Sequence, residues 1–586
     1  MSQEIIQEFV SPIGTVPHIP SNMTVAQFFL DYQHPSRPVR SETSPWLIDN
    51  DTDKCYCREE IRTRTYALAN VMKARWDIGD NDCVAFFTPN HVEFPITAWA
   101  AHRLGAIAAA ANPAFSVDEL LYQLNTTKAK LLVVHRSIFS IGLEAAKLAG
   151  LSEDRIVIIQ SGDEPAPEGY QTLDELAEEG TCLYPEPLFS ESFLTEDEAK
   201  TKIAFYNFSS GTTGKSKAVA ISHYMVVATI LMCAANYQIG NPDVPQRFQP
   251  GDVAMNTLPL YHIYGMFYNL LFQLYCGSSV VVMSKFSFTG MLQSIVKHKI
   301  SNLFLVPPIA VMLCQRPEAR KFDLSSLRTI MSSAAPLSIE RFKQLSALLP
   351  QATIFQCYGM TEAGVISMEN NGEQREKPSV SAGVLLPGIV ARVQRADGTY
   401  AGFNEPGELI VKTHSMASGY SNNEAATKET FVDGWVRSGD EVTINENMEI
   451  FIVDRLKEML KVRGFQVAPA EMEAHLSEHP FVSEVCVVGI PHEFHGELPF
   501  AFIVPEKKAA ALIAKYPEEE AKLKDILAKH VTDHKVPYKA LSGGIEFVES
   551  VPRAESGKLL RRVARDNAKR LLAENADQTP AKHVAA

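Results

Sequence analysis

The chain has 586 residues, of which 46% are hydrophobic and 21% charged, and its formal net charge at pH 7 is -14. This length is too great for a single hydrophobic core and predicts roughly two to four lobes, while the composition excludes fibrous and largely disordered classes. The negative charge and the lack of long basic runs argue against partners such as nucleic acid or an anionic membrane surface.

We expect no targeting signal from the two ends of the sequence and no disulfide bonds from its cysteines. The start, MSQEIIQEFVSPIG, lacks the basic and apolar regions of a signal peptide, and the ending KHVAA is not a peroxisomal signal. The nine cysteines are irregularly spread and form no Cys-x-x-Cys, so we expect reduced thiols. The most apolar stretch, Met225 to Ala235, is about half the length of a membrane-spanning helix. We therefore expect no membrane span and a cytoplasmic location.

From about residue 82 to residue 134, apolar strand-like runs alternate with helical patterns, which is typical of βαβ units. The same alternation returns in GDVAMNTLPLYHIYG, LYCGSSVVVM, ISNLFLVPP and LRTIMSSAAPLS. The fold class that this pattern predicts is α/β, with a large layered N-terminal domain and mainly parallel sheets. Ligands of such folds bind at strand ends.

After about residue 381 the strands become shorter and are separated by Gly and Pro turns, which indicates antiparallel hairpins. We predict an N-terminal domain of residues 1–456, with a β-rich subdomain at about 381–456, and a C-terminal α+β domain of residues 457–586. Near the end, the basic side chains of Arg561, Arg562 and Arg565 follow Lys558 on a helical pattern and are expected to form a solvated helix face.

The segment SSGTTGKSKAVAISH, from Ser209 to His223, differs by one residue from a Walker A phosphate loop, since Ser209 stands where the first glycine belongs. A Walker A loop runs directly into a helix. Here the loop is followed by KAVAIS, which alternates like a strand. We predict a strand, loop, strand hairpin whose backbone amides and hydroxyls bind phosphate; a purely structural hairpin and a P-loop ATPase or kinase are the alternatives.

Five motifs occur in a fixed order, and through them nearly the whole chain resembles the adenylate-forming enzymes, the superfamily of acyl-CoA synthetases, luciferases and peptide-synthetase adenylation domains. The motif strings, in chain order, are FSSGTTGKSKAV, QCYGMTEAG, WVRSGD, DRLKEMLKVRGFQVAPAEME and PRAESGKLLRR. Their wording is most similar to the 4-coumarate:CoA ligase-like group, as is LPLYHIYG. The resemblance implies a small, mobile C-terminal domain and the cofactors ATP, Mg²⁺ and CoA.

The first two motifs are implied to bind the phosphates. Thr361 would donate a hydrogen bond to the α-phosphate, and Glu362 would bind the Mg²⁺ ion. Lys215 stands at a position that the family leaves variable, and Ala218 replaces a usual glycine. The residues implied to hold the β- and γ-phosphates are Ser209, Ser210, Gly211, Thr212, Thr213, Gly214 and Lys217.

The resemblance also implies the nucleoside contacts. Tyr358 would stack on the adenine, and Ala334, in the turn SSAAP, would line the same cleft. Asp440 would accept hydrogen bonds from the ribose hydroxyls, to which Arg455 would donate.

The C-terminal domain is implied to act in both half-reactions. Lys558 would offset the charge of the carboxylate and the α-phosphate in the first step, assisted by Lys461 and Gln466. The domain would then rotate about a hinge at Lys457, and Gly464 would lie near the pantetheine tunnel.

The acyl pocket is expected between YHIYGMF and QCYG, with His262 as a gating residue. Ser333 and Cys357 stand where plant coumarate ligases usually have glycines. The pocket is therefore expected to be narrower, or differently directed, than one that holds a hydroxycinnamate ring.

The function that these motifs favour is an ATP-dependent carboxylate:CoA ligase for an aryl or medium-chain acid. One alternative keeps the acyl-AMP step but loads a separate carrier protein. A luciferase-like oxidation shares the fold, and a noncatalytic nucleotide-binding protein is a further alternative.

Overall fold

A computed structural model describes most of the chain, and its residues fall into two compact units. The described residues are 7–160, 165–184, 186–191, 193–209, 216–369, 381–456, 458–462, 465–492, 495–554 and 557–578. The first unit comprises Met1–Arg392, Ile410–Ser438 and Glu446–Ile450, and the second comprises Val393–Leu409, Gly439–Asn445 and Phe451–Ala586. A domain boundary at residue 456 stays a prediction.

Helices occur throughout both units. The α-helices are α1 Val25–Leu30, α2 Arg58–Trp76, α3 Glu93–Arg103, α4 Val117–Thr127, α5 Phe139–Leu148, α6 Leu173–Leu183, α7 His223–Asn236, α8 Gln273–Tyr275, α9 Phe288–His298, α10 Pro307–Gln315, α11 Ile339–Leu348, α12 Glu424–Thr430, α13 Pro469–Ser477, α14 Lys507–Lys515, α15 Glu519–His534 and α16 Arg561–Gln578. A π-helix, Tyr264–Phe272, precedes α8.

The strands form several sheets. They are β1 Phe9–Val10, β2 Leu47–Asp49, β3 Cys55–Tyr56, β4 Cys83–Phe87, β5 Ile107–Ala111, β6 Ala129–His135, β7 Ile156–Ile159, β8 Gln171–Thr172, β9 Ile203–Ser209, β10 Lys217–Ser222, β11 Val253–Asn256, β12 Ser279–Val282, β13 Asn302–Leu305, β14 Thr329–Ser332, β15 Thr353–Met360, β16 Gly364–Met368, β17 Val384–Leu385, β18 Val390–Gln394, β19 Gly407–Lys412, β20 Phe431–Val432, β21 Trp435–Ile444, β22 Ile450–Arg455, β23 Leu460–Val462, β24 Phe465–Val467, β25 Val482–His492, β26 Gly496–Pro505 and β27 Gly544–Phe547.

A seven-stranded sheet of the first unit has the order β10-β9-β5-β4-β6-β7-β8. All neighbours are parallel except β9 and β10. Strands β4 and β5 are apolar throughout and buried along their whole length, as expected for strands covered on both faces. The predicted βαβ region therefore forms the core of this sheet.

A nine-stranded sheet of the same unit has the order β17-β16-β15-β14-β13-β11-β12-β2-β3. Its central strands are parallel, and β15 then turns back into the antiparallel β16. The turn is tight, because a Cβ on Gly359 would lie 2.4 Å from the carbonyl oxygen of Gly364. Residues 361–363 are thereby held at the carboxyl ends of the parallel strands, where ligands of such sheets bind.

The apolar helix α7 is buried, as its composition predicts, and the Ser222 hydroxyl caps it by accepting from the Met225 amide. Across the described part of the chain, no helix combines the length and apolar character needed to cross a membrane. All nine cysteines are free thiols, which confirms the expectation from their spacing.

The predicted antiparallel hairpins are present after residue 381. Strands β20 and β21 are joined by Asp433 and Gly434, both with positive φ, and Val432 pairs with Trp435. This is the Asp-Gly turn that suits the twist of a two-residue hairpin.

In the second unit, a sheet of order β24-β23-β26-β25, with β27 parallel to β26, carries helices on both faces. One core joins the sheet to α13 and α15, and a second joins it to α16. The α+β architecture agrees with the prediction for the end of the chain.

The prediction that the basic residues of α16 form a solvated face is wrong for Arg561. Its side chain is only 10% exposed and donates to Glu458 at 2.8 Å and to the buried Glu473 at 2.9 Å. The reason is tertiary, because α13 and the segment before it place two carboxylates beside the start of α16. Arg562, the next residue, is exposed as expected.

Candidate active site

Two antiparallel strands of the first unit flank the glycine-rich segment. Strands β9 and β10 are antiparallel, with Lys217 opposite Ser209, and α7 begins only at His223. A strand therefore follows the loop, which contradicts the Walker A alternative. The predicted phosphate-binding residues Ser210, Gly211, Thr212, Thr213 and Gly214 lie outside the described residues.

The Thr-Glu pair lies in the turn between β15 and β16, where Thr361 is half-buried and Glu362 buried. Glu362 Oε1 accepts two hydroxyl hydrogen bonds, from Ser209 Oγ at 3.1 Å and from Tyr420 Oη at 2.8 Å. The structure thus joins the first two motifs, which are far apart in the sequence, through one carboxylate.

Tyr420 is a site residue that the sequence reasoning missed. It pairs with Val219 in an isolated bridge, and Lys217 Nζ lies 4.7 Å from the centroid of its ring. Burial, together with the negative charge of Glu362, raises the pKa of the Tyr420 hydroxyl, so this group donates to Glu362 at neutral pH. The only local signal is its position directly after Gly419, which has φ +121°.

The Glu362 carboxylate fits a magnesium ion. It is buried, it is held by two neutral hydroxyls, and within the described part of the chain no lysine or arginine forms an ion pair with it. A buried carboxylate without a counter-charge is costly. Carboxylate oxygens are ligands that Mg²⁺ prefers, so a bound cation would supply the missing charge.

The SSAAP turn follows β14. Its Ala334 has φ +69°, a strained value for a residue with a Cβ. Ser333 Oγ donates to the carbonyl oxygen of Cys357 at 2.8 Å, and the amide of Leu337 donates to Gln356 Oε1 at 2.7 Å. These two hydrogen bonds connect the turn to β15 and stabilise the strained backbone of Ala334.

Ala334 and Tyr358 lie at the same edge of the nine-stranded sheet. Strands β14 and β15 are parallel, with Ser332 opposite Gln356. Ala334 comes two residues after Ser332, and Tyr358 comes two residues after Gln356. The half-buried position of Tyr358 suits a ring that stacks on a planar ligand.

The segment predicted to line the acyl pocket, YHIYGMF, follows β11 and enters the π-helix at Tyr264. His262 is half-exposed, and its Nδ1 accepts from the amide of Tyr264 at 3.2 Å. Asn207 of β9 donates to the carbonyl oxygen of Tyr261 at 3.0 Å, and Tyr264 Oη donates to that of Met331 at 3.1 Å. The segment is thus fixed between the two large sheets.

The two residues predicted to bind the ribose lie together in the second unit. Asp440 is buried on β21, and Arg455 Nε, at the end of β22, is 3.4 Å from its Oδ1. The amide of Leu456 donates to the carbonyl oxygen of Gly439 at 2.9 Å, which holds the two strands together at this point.

The hairpin β23–β24 places Lys461 opposite Gln466. Lys461 is exposed, and its amide donates to Glu497 Oε2 at 2.8 Å. The predicted hinge Lys457 and the tunnel residue Gly464 lie outside the described residues, as does the side chain of Gln466.

Lys558 lies in a short loop before α16. Its carbonyl oxygen accepts from the amide of Ala554 at 2.9 Å, and Arg553 pairs with Leu559. The side chain of Lys558 is half-exposed.

Comparisons with known proteins agree with this arrangement of motifs. Residues 39–421 match the family model "AMP-binding enzyme", and residues 471–558 match "AMP-binding enzyme C-terminal domain". The 4-coumarate-CoA ligase 1 of Arabidopsis thaliana is 34% identical over 532 residues, which cover 89% of each chain.

Two solved structures have the same fold. The anthranilate CoA ligase AuaEII in complex with anthranoyl-AMP superposes with a TM-score of 0.81 at 24% identity, covering 95% of this chain and 99% of that one. ATP-bound MatB from Rhodopseudomonas palustris gives a TM-score of 0.77 at 25% identity, covering 94% and 99%. Both cover the second unit as well as the first.

Proposed function

The chain belongs to the AMP-binding enzyme family and is an ATP-dependent acid:CoA ligase that works through an acyl-AMP; we propose that its acid is an aryl or medium-chain carboxylic acid. The observation that carries the assignment of the site is the buried Glu362, to which the Ser209 hydroxyl at the start of the phosphate loop donates. ATP, Mg²⁺ and CoA are the cofactors of CoA ligases of this family.

In the first half-reaction, a carboxylate oxygen attacks the α-phosphorus of ATP, the bond to the bridging oxygen breaks, and pyrophosphate leaves. In the second, the CoA thiol loses its proton and its sulfur attacks the acyl carbonyl, and AMP leaves. Glu362 would hold Mg²⁺, which would supply positive charge to the phosphate oxygens. Catalysis is then mostly positioning and charge neutralisation.

We assign Glu362 to the metal and Thr361 to the α-phosphate. Tyr420 is a positioning residue, because it acts through its hydrogen bond to Glu362. Lys558 would offset the charge that otherwise keeps the carboxylate and the α-phosphate apart.

The proposed narrowing of the acyl pocket depends on two side chains. Both Ser333 and Cys357 are buried, and the Ser333 hydroxyl is anchored to the Cys357 carbonyl oxygen, so it cannot rotate away without losing that bond. We therefore expect a preference for slimmer acids than p-hydroxycinnamate.

The first test is acid-dependent pyrophosphate release from MgATP over cinnamic, benzoic, phenylacetic and fatty acids, with and without CoA, with products identified by mass. An acyl-CoA from an aryl or medium-chain acid is expected. Acyl-AMP without acyl-CoA would instead favour the loading of a carrier protein, and phosphate release without pyrophosphate would overturn the assignment. A cytoplasmic location is also our proposal, and cell fractionation tests it.

The second test separates the two half-reactions. Lys558→Ala is expected to lower acyl-AMP formation by about 10²- to 10³-fold, as removal of one charge-stabilising group does, while preformed acyl-AMP is still converted to acyl-CoA. Lys508→Ala, an exposed lysine of the same unit, serves as the matched control. If Lys558→Ala forms acyl-AMP at the unmodified rate, Lys558 has no role in the first half-reaction.

A further inference from the structure

A cluster of three histidines lies in the second unit, outside every motif used above. One ring nitrogen from each of His475, His530 and His534 lies within 4.8 Å of one from each of the others. His475 belongs to α13, whereas His530 and His534 stand four residues apart, on one face of α15. The cluster therefore connects two helices that pack on the same side of the sheet.

The hydrogen bonds of the three rings define their protonation. His475 Nε2 donates to the carbonyl oxygen of His530 at 3.2 Å, and His530 Nε2 donates to that of His475 at 3.3 Å. His534 Nδ1 donates to the carbonyl oxygen of His530 at 2.9 Å. Because a carbonyl oxygen only accepts, each of these nitrogens carries a proton, and in the neutral form of each ring the other nitrogen has the lone pair.

This pattern is the one found around metal-binding histidines. Such rings almost always donate their second nitrogen to a carbonyl or carboxylate, which fixes the tautomer and the orientation of the ring. The rings of His475 and His530 stack face to face, with centroids 4.2 Å apart and an angle of 6° between their planes, so their in-plane lone pairs do not converge on one point until a ring turns.

A carboxylate stands beside the cluster. Glu478 Oε2 lies 3.6 Å from His475 Nδ1, and its side chain is mostly exposed. Three imidazoles and one carboxylate or water form a ligand set that suits Zn²⁺ and its neighbours in the first transition series. We propose that His475, His530 and His534 bind a divalent transition-metal ion, with the fourth position left to water, and that the ion links α13 to α15.

Ligand nitrogens of a tetrahedral zinc site are about 3.4 Å apart when each bond is near 2.0 Å. The ligand nitrogens lie within 4.8 Å of one another and the rings of His475 and His530 are stacked, so binding needs side-chain rotations that unstack these two rings and bring in the exposed His534. The site is independent of the adenylation chemistry, so either assignment can fail alone.

The test uses the full chain, freed of metal by chelator and dialysis, and Co²⁺ as a spectroscopic probe. We expect one Co²⁺ per chain, visible absorption bands of a nitrogen-ligated tetrahedral ion, and displacement of Co²⁺ by Zn²⁺. The double variant H530Q/H534Q should bind at least about a hundredfold more weakly. The single variant His534→Gln, at the exposed position, should also bind more weakly and carries little folding risk.

The control is His492→Gln, which removes a histidine of the same unit whose ring stacks on His495 instead. Zn²⁺ should raise the Tm of the unmodified chain and of this control, but not that of the double variant. Acid-dependent pyrophosphate release reports that each variant is folded. Equal Co²⁺ affinity in the double variant and the unmodified chain, or no Co²⁺ binding by the unmodified chain, would overturn the proposal.

Discussion

The buried carboxylate of Glu362 shows how single side chains determine the proposed chemistry. Two hydroxyls hold one of its oxygens, and one of them, that of Tyr420, comes from a segment with no recognised motif. A hydrogen bond to a charged acceptor contributes about 1.5–3 kcal/mol, more than a neutral one. The orientation of the proposed metal ligand therefore depends on Tyr420 as much as on the Thr-Glu motif.

Tyr420→Phe removes only the hydroxyl that donates to Glu362. We expect pyrophosphate release to fall by about 10- to 100-fold, with a higher Mg²⁺ requirement, because a charged group loses one donor. The control Tyr66→Phe removes the hydroxyl that donates to Glu191 at 3.1 Å, elsewhere in the same unit. The measurement is the Mg²⁺ dependence of pyrophosphate release; equal rates in both variants would exclude Tyr420 as a positioning residue.

At the scale of elements, the π-helix Tyr264–Phe272 depends on a close backbone approach at its start. A Cβ on Gly265 would lie 2.2 Å from the carbonyl oxygen of Pro259, a backbone atom that cannot rotate aside. A π-helix is often found at functional sites, and this one begins beside the predicted acyl-pocket residue His262.

Gly265→Ala is expected to lower the free energy of unfolding by about 1–3 kcal/mol, as overpacking does, and to raise the KM for the acid. The control is Gly79→Ala, since a Cβ there has no heavy atom within 4 Å. Denaturant unfolding and the acid KM are measured for both. An unchanged stability and KM in Gly265→Ala would show that the segment can shift freely.

The ion pairs of Arg561 tie the first turn of α16 to α13. Burial raises the pKa of Glu473, although Arg561 opposes the rise. Burial alone would lower the pKa of Arg561, but the Glu473 carboxylate holds it well above its usual range. The arginine is therefore charged, and removing it leaves a buried acid without its counter-charge.

Arg561→Ala should destabilise the second unit by about 3–5 kcal/mol, the usual cost of breaking a buried ion pair. Arg562→Ala, one position along and exposed, should change stability by about 0.5 kcal/mol or less. Hydrogen exchange of α13 and α16 in the full chain measures the difference. Similar exchange in the two variants would contradict a structural role for Arg561.

At the scale of the whole molecule, two buried neutral histidines make stability depend on pH. His102 Nε2 donates to the carbonyl oxygen of Ala204 at 2.9 Å, and His223 Nδ1 accepts from the amide of Val25 at 3.0 Å. Burial lowers the pKa of His102 from 6.5 to about 4, and burial also lowers the pKa of His223 well below 6.5.

Between pH 6.5 and about 4, the unfolded chain therefore binds more protons at His102 than the folded chain does. The stabilisation is complete above pH 6.5 and is lost as the pH falls towards 4, by about 1 kcal/mol per pH unit for each such histidine. The measurement is the free energy of unfolding from pH 7 to pH 5. We expect it to fall less steeply with decreasing pH in His102→Gln than in His492→Gln. Equal slopes would show that His102 is not the proton-linked group.

Local patterns were enough to predict the strands on both sides of the glycine-rich segment, the mainly parallel sheets, the antiparallel hairpins after residue 381 and the α+β end of the chain. Each of these features depends on the period and turn chemistry of a short segment. The resemblance carried by the motif order led to the family. The packing of Tyr420 on Glu362, the burial of Arg561 and the cluster of His475 with His530 required the tertiary structure. Each of these three contacts joins residues at least 55 positions apart in the sequence. Sequence periodicity indicates which face of an element is apolar, but it does not indicate which partner that face contacts.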